Sequence, residues 1–159
     1  MQKVKKKKIL FVSSAGGHLS EILELDEIIK RYNYLIVTED VEVTRPLKAT
    51  YNMQYMRPNT KGRSFAFWFN SFINFYISCK ILISFNPDLI ITTGSYTAVP
   101  ICLLAKLFRK KIVWILTYAR INTREKSASI IYPFSDLFIV QWEEEKKLYP
   151  RAKYVGGIY

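Results

Sequence analysis

The sequence predicts a single α/β domain built on a mostly parallel, doubly wound sheet, and three observations predict it. Short apolar runs of strand length alternate with segments of helical periodicity along the whole chain. Two of the runs end in a glycine turn that opens into a helical segment, the junction found at the ligand edge of open α/β sheets. No internal repeat, low-complexity tract or linker divides the 159 residues, and half of them are apolar, enough for one core.

Residues 1–8 form a basic arm with five lysines, and the domain proper is expected over 9–159. The apolar run 9–12 is shorter than the roughly 7–15 residues of a signal peptide's apolar region. It reads instead as the first buried strand. Gly16-Gly17 follows, then Leu19, Ile22, Leu23, Leu25, Ile28 and Ile29 on helical spacing. A second strand covers 34–37 and ends in Glu39-Asp40. Pro46 argues against a long helix in 41–50, and 52–56 reads as an edge strand. Residues 57–63 form a basic loop with Pro58 and Gly62.

The helix expected over 65–85 carries one charge, Lys80, and is about as long as the roughly 20 residues that span a bilayer. Its weakly polar residues, Asn70, Ser71, Asn74 and Ser78, fall on one stripe. A strand at 89–93 must rejoin the same sheet, which argues against a crossing. Two readings stay open: a wholly buried crossover helix, or one that also dips its aromatic face into a bilayer surface. Helical spacing resumes over 96–108, with Pro100 tolerable in or near the first turn. A strand follows at 110–116, a polar stretch at 117–129, a strand at 136–140, a short helix at 143–148 and a last strand at 152–155.

Charge narrows the partners. The formal net charge is +11, from 24 basic and 13 acidic residues. Between Val43 and Arg124 twelve basic residues face one acid, Asp88. Such a field favours an anionic partner. The aromatics follow helix and strand periodicity instead of interleaving with the charges, so no nucleic-acid partner is expected. A polybasic arm (Lys5, Lys6, Lys7, Lys8) and an aromatic helix (Phe67, Trp68, Phe72) suit a membrane surface. Cys79 and Cys102 lie in apolar helical patterns and read as buried thiols of a reducing, cytoplasmic compartment. One histidine and two separate cysteines give no metal-ligand spacing.

Gly16-Gly17 permits close backbone approach and offers helix N–H groups to a phosphate; it is equally a flexible βα turn. His18, the single histidine, has the chemistry of a general base but also of a structural hydrogen-bonding residue. At the second turn, Thr93, Gly94 and Ser95 suit a phosphate or a sugar, with Ser95 also a possible helix cap. Arg120 and Arg124 overhang the same edge and suit bidentate phosphate contact. Glu39 stands where dinucleotide-binding proteins place a ribose-binding acid, but the third glycine of their fingerprint is missing after His18.

Four segments occur in order: Ser14-Ala-Gly-Gly-His-Leu-Ser-Glu-Ile-Leu-Glu-Leu25, Thr93-Gly-Ser-Tyr-Thr-Ala-Val-Pro-Ile101, Tyr132-Pro-Phe-Ser-Asp-Leu-Phe-Ile-Val-Gln-Trp142 and Tyr149-Pro-Arg-Ala-Lys-Tyr-Val-Gly156. Together they resemble one family over nearly the whole chain. It is the membrane-anchoring, acceptor-side subunit of the two-part N-acetylglucosaminyltransferase of asparagine-linked glycosylation. Its bacterial capsular and exopolysaccharide relatives (PssD- and EpsE-type proteins) belong with it. Gly-Gly-His alone is shared with MurG-type enzymes.

The resemblance implies a Rossmann-like domain corresponding to the N-terminal half of a GT-B glycosyltransferase. The nucleotide-sugar donor would sit on a separate catalytic subunit, and no cofactor on this chain. The chain would bind a polyprenyl-diphosphate-linked sugar on the inner face of the cell membrane and be inactive without its partner. Carried over residue by residue, Ser14, Gly16, Gly17, Thr93, Gly94, Ser95 and Arg120 would hold the diphosphate. His18 would be the base, and Gly156, Gly157 and Tyr159 would meet the partner. A pure scaffold without substrate contact is the alternative, and a small dinucleotide-binding oxidoreductase a remoter one. Two segments depart from the family pattern: Leu116-Thr117 replaces an acidic and a small residue, and Glu125-Lys-Ser-Ala128 replaces a Ser-x-Ser/Thr-Gly segment.

Overall fold

The computed structural model describes residues 6–58 and 65–159. Lys5 and residues 59–64 of the basic loop lie outside the described residues. The elements run β1 (Lys8–Val12), α1 (Gly17–Leu23), α2 (Asp26–Arg31), β2 (Asn33–Glu39), β3 (Met53–Met56), α3 (Phe65–Phe85) and β4 (Leu89–Thr92). They continue with α4 (Ala98–Leu107), β5 (Lys111–Ile115), α5 (Lys126–Ile131), β6 (Leu137–Val140) and β7 (Lys153–Tyr154). Short 3-10 turns cover Arg45–Ala49 and Glu143–Lys147. All seven strands are parallel, in the order β3-β2-β1-β4-β5-β6-β7. The order reverses at β1, so the crevice between the C-terminal ends of β1 and β4 is the switch point where such sheets take ligands.

Burial on both faces explains why the strands read as unbroken apolar runs. Leu10, Val12, Val37, Ile90, Ile112 and Trp114 pack toward α3, α4 and α5. Ile9, Phe11 and Ile36 pack toward Leu19, Ile22 and Ile29 of α1 and α2. The first helical segment is two helices instead of one. The chain breaks at Leu25, which keeps Ile22 and Ile29 fully buried and leaves Ile28 44% exposed. A second difference is α5, which begins inside the stretch 117–129 read as polar and runs two residues past it. Its Ser127, Ala128 and Ile131 are buried, and serine and alanine give too weak an apolar signal to announce a helix. Cys102 is fully buried, which pushes its thiol up to about 12, whereas Cys79 is only half-buried.

The long helix α3 packs Ile81 and Leu82 into the core near its end and leaves most aromatics of its first half outward. Its polar stripe points inward: Asn74 and Ser78 are buried, while Phe65, Trp68, Phe72 and Tyr76 are exposed. Asn74 pairs with the backbone of Arg57 like a strand neighbour. Its Oδ1 accepts from Arg57 N at 2.8 Å and its Nδ2 donates to Arg57 O at 2.9 Å. Asn70 Nδ2 donates to Pro58 O at 3.2 Å. Phe67 does not join the exposed stripe; it is half-buried and meets Trp68 edge-on at 5.7 Å. The reading of α3 as a wholly buried crossover is therefore corrected. It crosses over the sheet, but with its aromatic side outward.

Candidate functional site

A cleft of about 560 Å³ opens at the switch point. The turn after β1 contributes Ser14, Ala15 and His18, and the end of β2 contributes Glu39. The turn after β4 contributes Ser95, Tyr96 and Thr97, and the loop after β5 contributes Arg120, Arg124, Glu125 and Lys126. Four successive strand ends thus build one site.

His18 is fixed by its neighbour across the crevice. Its Nδ1 lies 2.9 Å from the carbonyl oxygen of Thr93. A carbonyl only accepts, so Nδ1 carries a proton, and Nε2 is the nitrogen left to face the cleft. Thr93 Oγ1 in turn donates to the His18 carbonyl at 2.6 Å. Thr93 is fully buried and does not line the cleft. Through its carbonyl and its hydroxyl it holds the histidine.

Gly94 is the glycine that geometry demands. Its φ is +112°, and a Cβ there would come within 3.3 Å of both Glu125 Oε2 and His18 Cε1. The next residue, Ser95, also has positive φ, +93°, a strained value for a side-chain-bearing residue. Its hydroxyl accepts from Ser14 N at 3.1 Å, which ties the two turns together. Ser95 is therefore no helix cap; Thr97 holds that position, and its hydroxyl donates to Glu39 Oε1 at 2.7 Å. Gly16 and Gly17 lie on the exposed shoulder of α1 and do not line the cleft. Gly16 has φ +85°, but nothing stands within 4 Å of a Cβ at Gly17.

The cleft rim is cationic through Arg120, Arg124 and Lys126, and its floor carries Glu39 and Glu125. Glu39 is already used: Oε2 accepts from Ala15 N at 3.3 Å and Oε1 from Thr97. That internal role counts against the ribose-binding part expected of a dinucleotide site. Glu125 takes the Ser127 hydroxyl on Oε1, and its buried Oε2 has no hydrogen-bond partner. Arg120 Nη1 donates to Thr123 Oγ1 at 3.2 Å, and Arg124 Nη2 to Leu148 O at 3.2 Å.

One residue the sequence reading passed over connects these parts. Glu21, one turn after His18, is 3% exposed, and its Oε1 accepts from Thr117 Oγ1 at 2.7 Å and Tyr118 N at 2.8 Å. Burial pushes its carboxyl upward, against the pull of those two donors. Glu21 thus fastens the arginine-bearing loop to the helix of His18. Glu125 was visible only as a departure from the expected motif.

The C-terminal segment lies on the same edge. Gln141 bridges it to the core, donating to Leu116 O at 3.0 Å and accepting from Ile158 N at 2.8 Å. Trp142 Nε1 donates to Tyr118 O at 2.9 Å, and the Tyr118 ring meets those of Trp142 and Tyr159 at 4.6 and 5.6 Å. Gly157 packs on the same ring, where a Cβ would come within 3.3 Å, and Gly156 has φ +86°. The Gln-Trp pair therefore seats Gly156, Gly157 and Tyr159 beside the loop that borders the cleft.

The sequence pattern of the family described as "Oligosaccharide biosynthesis protein Alg14 like" matches residues 9–158. The chain belongs to the Alg14 family. It is 31% identical over 177 residues to the human UDP-N-acetylglucosamine transferase subunit ALG14, covering 94% of this chain and 82% of that protein. The subunit of the same name from Yarrowia lipolytica is 27% identical over 172 residues, covering 94% and 80%. Among solved structures, Acinetobacter baumannii MurG superposes with TM-score 0.73 at 14% identity, and a UDP-N-acetylglucosamine 2-epimerase from Rickettsia bellii with 0.70 at 13%. Each match covers at least 95% of this chain but 45% of the other. This Alg14-family chain therefore has the fold of one half of those GT-B structures, spanning under half their length.

Proposed function

We propose that the chain is the acceptor-side subunit of a glycosyltransferase that extends a lipid-diphosphate-linked sugar. The observation that carries the proposal is His18, held by Thr93 in one tautomer in a cation-rimmed cleft at the switch point of an Alg14-family domain. The relatives' names, transferase subunits for UDP-N-acetylglucosamine, support an N-acetylhexosaminyl transfer shared with another subunit, and that partner would hold the nucleotide-sugar. Arg120, with Arg124 and Lys126, would offset the diphosphate's charge. His18 Nε2 would take the proton of the acceptor hydroxyl as that oxygen bonds to the donor's anomeric carbon. The bond from that carbon to the nucleotide diphosphate breaks, and the leaving group departs with the electron pair. The C-terminal segment around Gly156, Gly157 and Tyr159 would receive the partner. Assignment to capsular or exopolysaccharide assembly rests on the resemblance of the four sequence segments alone.

The exposed aromatic side of α3 supports membrane association. It is the one helix among the described residues long and apolar enough to cross a membrane. Its polar stripe nevertheless bonds to the protein while its aromatics stay exposed. This arrangement suits a helix lying against the cytoplasmic leaflet. The chain follows β3 into α3, so the aromatic start of α3 sits on the same sheet edge as the cleft.

The test is reconstitution with the partner, a nucleotide-sugar and a polyprenyl-diphosphate-sugar. His18→Ala should lower turnover by about 10²–10⁴-fold, and Arg120→Ala should raise the acceptor KM. Unchanged turnover in His18→Ala would leave a scaffold without substrate contact.

A further inference from the structure

The sheet edge opposite the cleft carries a second concentration of charge. Lys6 and Lys7 enter there ahead of β1, which Lys8 opens, and Arg109 and Lys110 enter ahead of β5. Lys6, Lys7 and Lys8, with Asn86 and Asp88 of the α3–β4 turn, line a pocket of about 220 Å³. Neutral acceptors hold the Lys8 and Lys110 ammonium groups without neutralising them. Lys8 Nζ donates to Phe85 O at 3.0 Å and lies 5.6 Å from the Phe85 ring centre, and Lys110 Nζ donates to Asn86 Oδ1 at 2.5 Å. Asp88 is engaged by the backbone N–H of Lys8 at 2.8 Å. Among the described residues, no ion pair reaches Lys6, Lys7, Lys8, Arg109 or Lys110. Two further acids of this edge have cations of their own: Asp136 is taken by Lys106 and Lys111, and Asp26 by Lys30.

Apolar side chains adjoin these cations in the chain. Ile83, at the end of α3, is 68% exposed; Leu107 and Phe108, at the end of α4, are 80% and 48% exposed. The helices α3 and α4 pack on each other, so both ends belong to one layer. Arg109 itself has φ +54°, a position where glycine is the usual and less strained occupant.

We propose that this edge is a binding site for anionic phospholipid headgroups, so that α3 lies along the leaflet with one contact at each end. The proposal rests on the reading of α3 as membrane-facing and extends it to a second site remote from the cleft. Unpaired cations beside exposed aliphatic and aromatic side chains match a headgroup layer over acyl chains. At about 1.5 Å rise per residue, α3 reaches about 31 Å from the aromatic contact to the cationic one.

Vesicle flotation of the 159-residue chain tests it, with phosphatidylcholine alone and with phosphatidylcholine doped with phosphatidylglycerol. A Lys6→Gln, Lys7→Gln, Arg109→Gln, Lys110→Gln variant should lose at least about tenfold in partition onto the doped vesicles. Its partition onto phosphatidylcholine alone should hold. A charge-conserving Lys6→Arg, Lys7→Arg, Arg109→Lys, Lys110→Arg variant should bind like the parent. On the unmutated chain, salt should release the doped vesicles' excess binding, a readout that needs no variant to fold. Doped-vesicle binding unchanged in the Gln variant, or unaffected by salt, would overturn the proposal, as would preferential capture by duplex DNA over doped vesicles. Trp68→Ser with Phe72→Ser should weaken binding to both vesicle types. If that pair has no effect while the Gln variant does, the α3 reading fails and the headgroup site stands.

Discussion

At the scale of single residues, the two glycine turns have different requirements. Gly94→Ala would force a Cβ into positive φ and against Glu125 and His18. The backbone cost alone is about 1–2 kcal/mol, and transfer in the reconstituted system should fall with it because His18 is displaced. Gly17→Ala meets nothing and should leave turnover near that of the parent. The sequence pattern marks both glycines alike; only the backbone angles and the packing separate them. Glu145 makes a pH prediction. It is buried, with Oε1 unpartnered, and burial pushes its carboxyl up to about 7. A raised carboxyl favours folding fully below the unfolded value near 4.5, and that contribution disappears as pH rises through about 7. Thermal melts should show Tm falling between about pH 5 and pH 8, and Glu145→Gln should flatten that slope. Most of the site's support was illegible in the sequence because it is long-range. Thr117 and Glu21 are 96 positions apart, and Thr97 and Glu39 are 58. His18 was legible because its turn is local.

At the scale of elements, α3 shows what periodicity can and cannot say. Its bounds and its polar stripe are readable from composition, but a stripe does not announce which side faces the protein. The backbone of Arg57 decides it by offering Asn74 both a donor and an acceptor. Asn74→Leu should therefore destabilise the fold by about 2 kcal/mol or more in urea titration, because the Arg57 backbone groups lose their partner. Trp68→Ser, on the exposed side, should change stability by less than about 0.5 kcal/mol. The strands were legible because parallel strands buried on both faces are apolar throughout. The helix α5 was hidden because its buried face uses Ser127 and Ala128, which read as loop residues away from their tertiary partners.

At the scale of the molecule, the sheet divides the labour between its two edges. The C-terminal edge gathers the histidine, the arginines and the tail; the opposite edge gathers unpaired lysines. Asp136 braces that second edge. Despite the cost of burial, Lys106, the Ile112 N–H and Lys111 hold its carboxyl down to about 2. Its contribution is present above about 3.8 and is lost as pH falls through about 2. Asp136→Asn should therefore cost stability at neutral pH and little at pH 2, read from urea midpoints at each pH.

The three tryptophans fall in three unlike surroundings: Trp114 fully buried in the core, Trp142 against the C-terminal segment, and Trp68 64% exposed on α3. The chain therefore carries its own optical probes. With Trp114 constant, a blue shift and shielding from aqueous quenchers should report α3 settling into lipid through Trp68. A change confined to Trp142 should report a subunit arriving at the tail. Single-tryptophan variants would let the order of those two arrivals be timed in one cuvette.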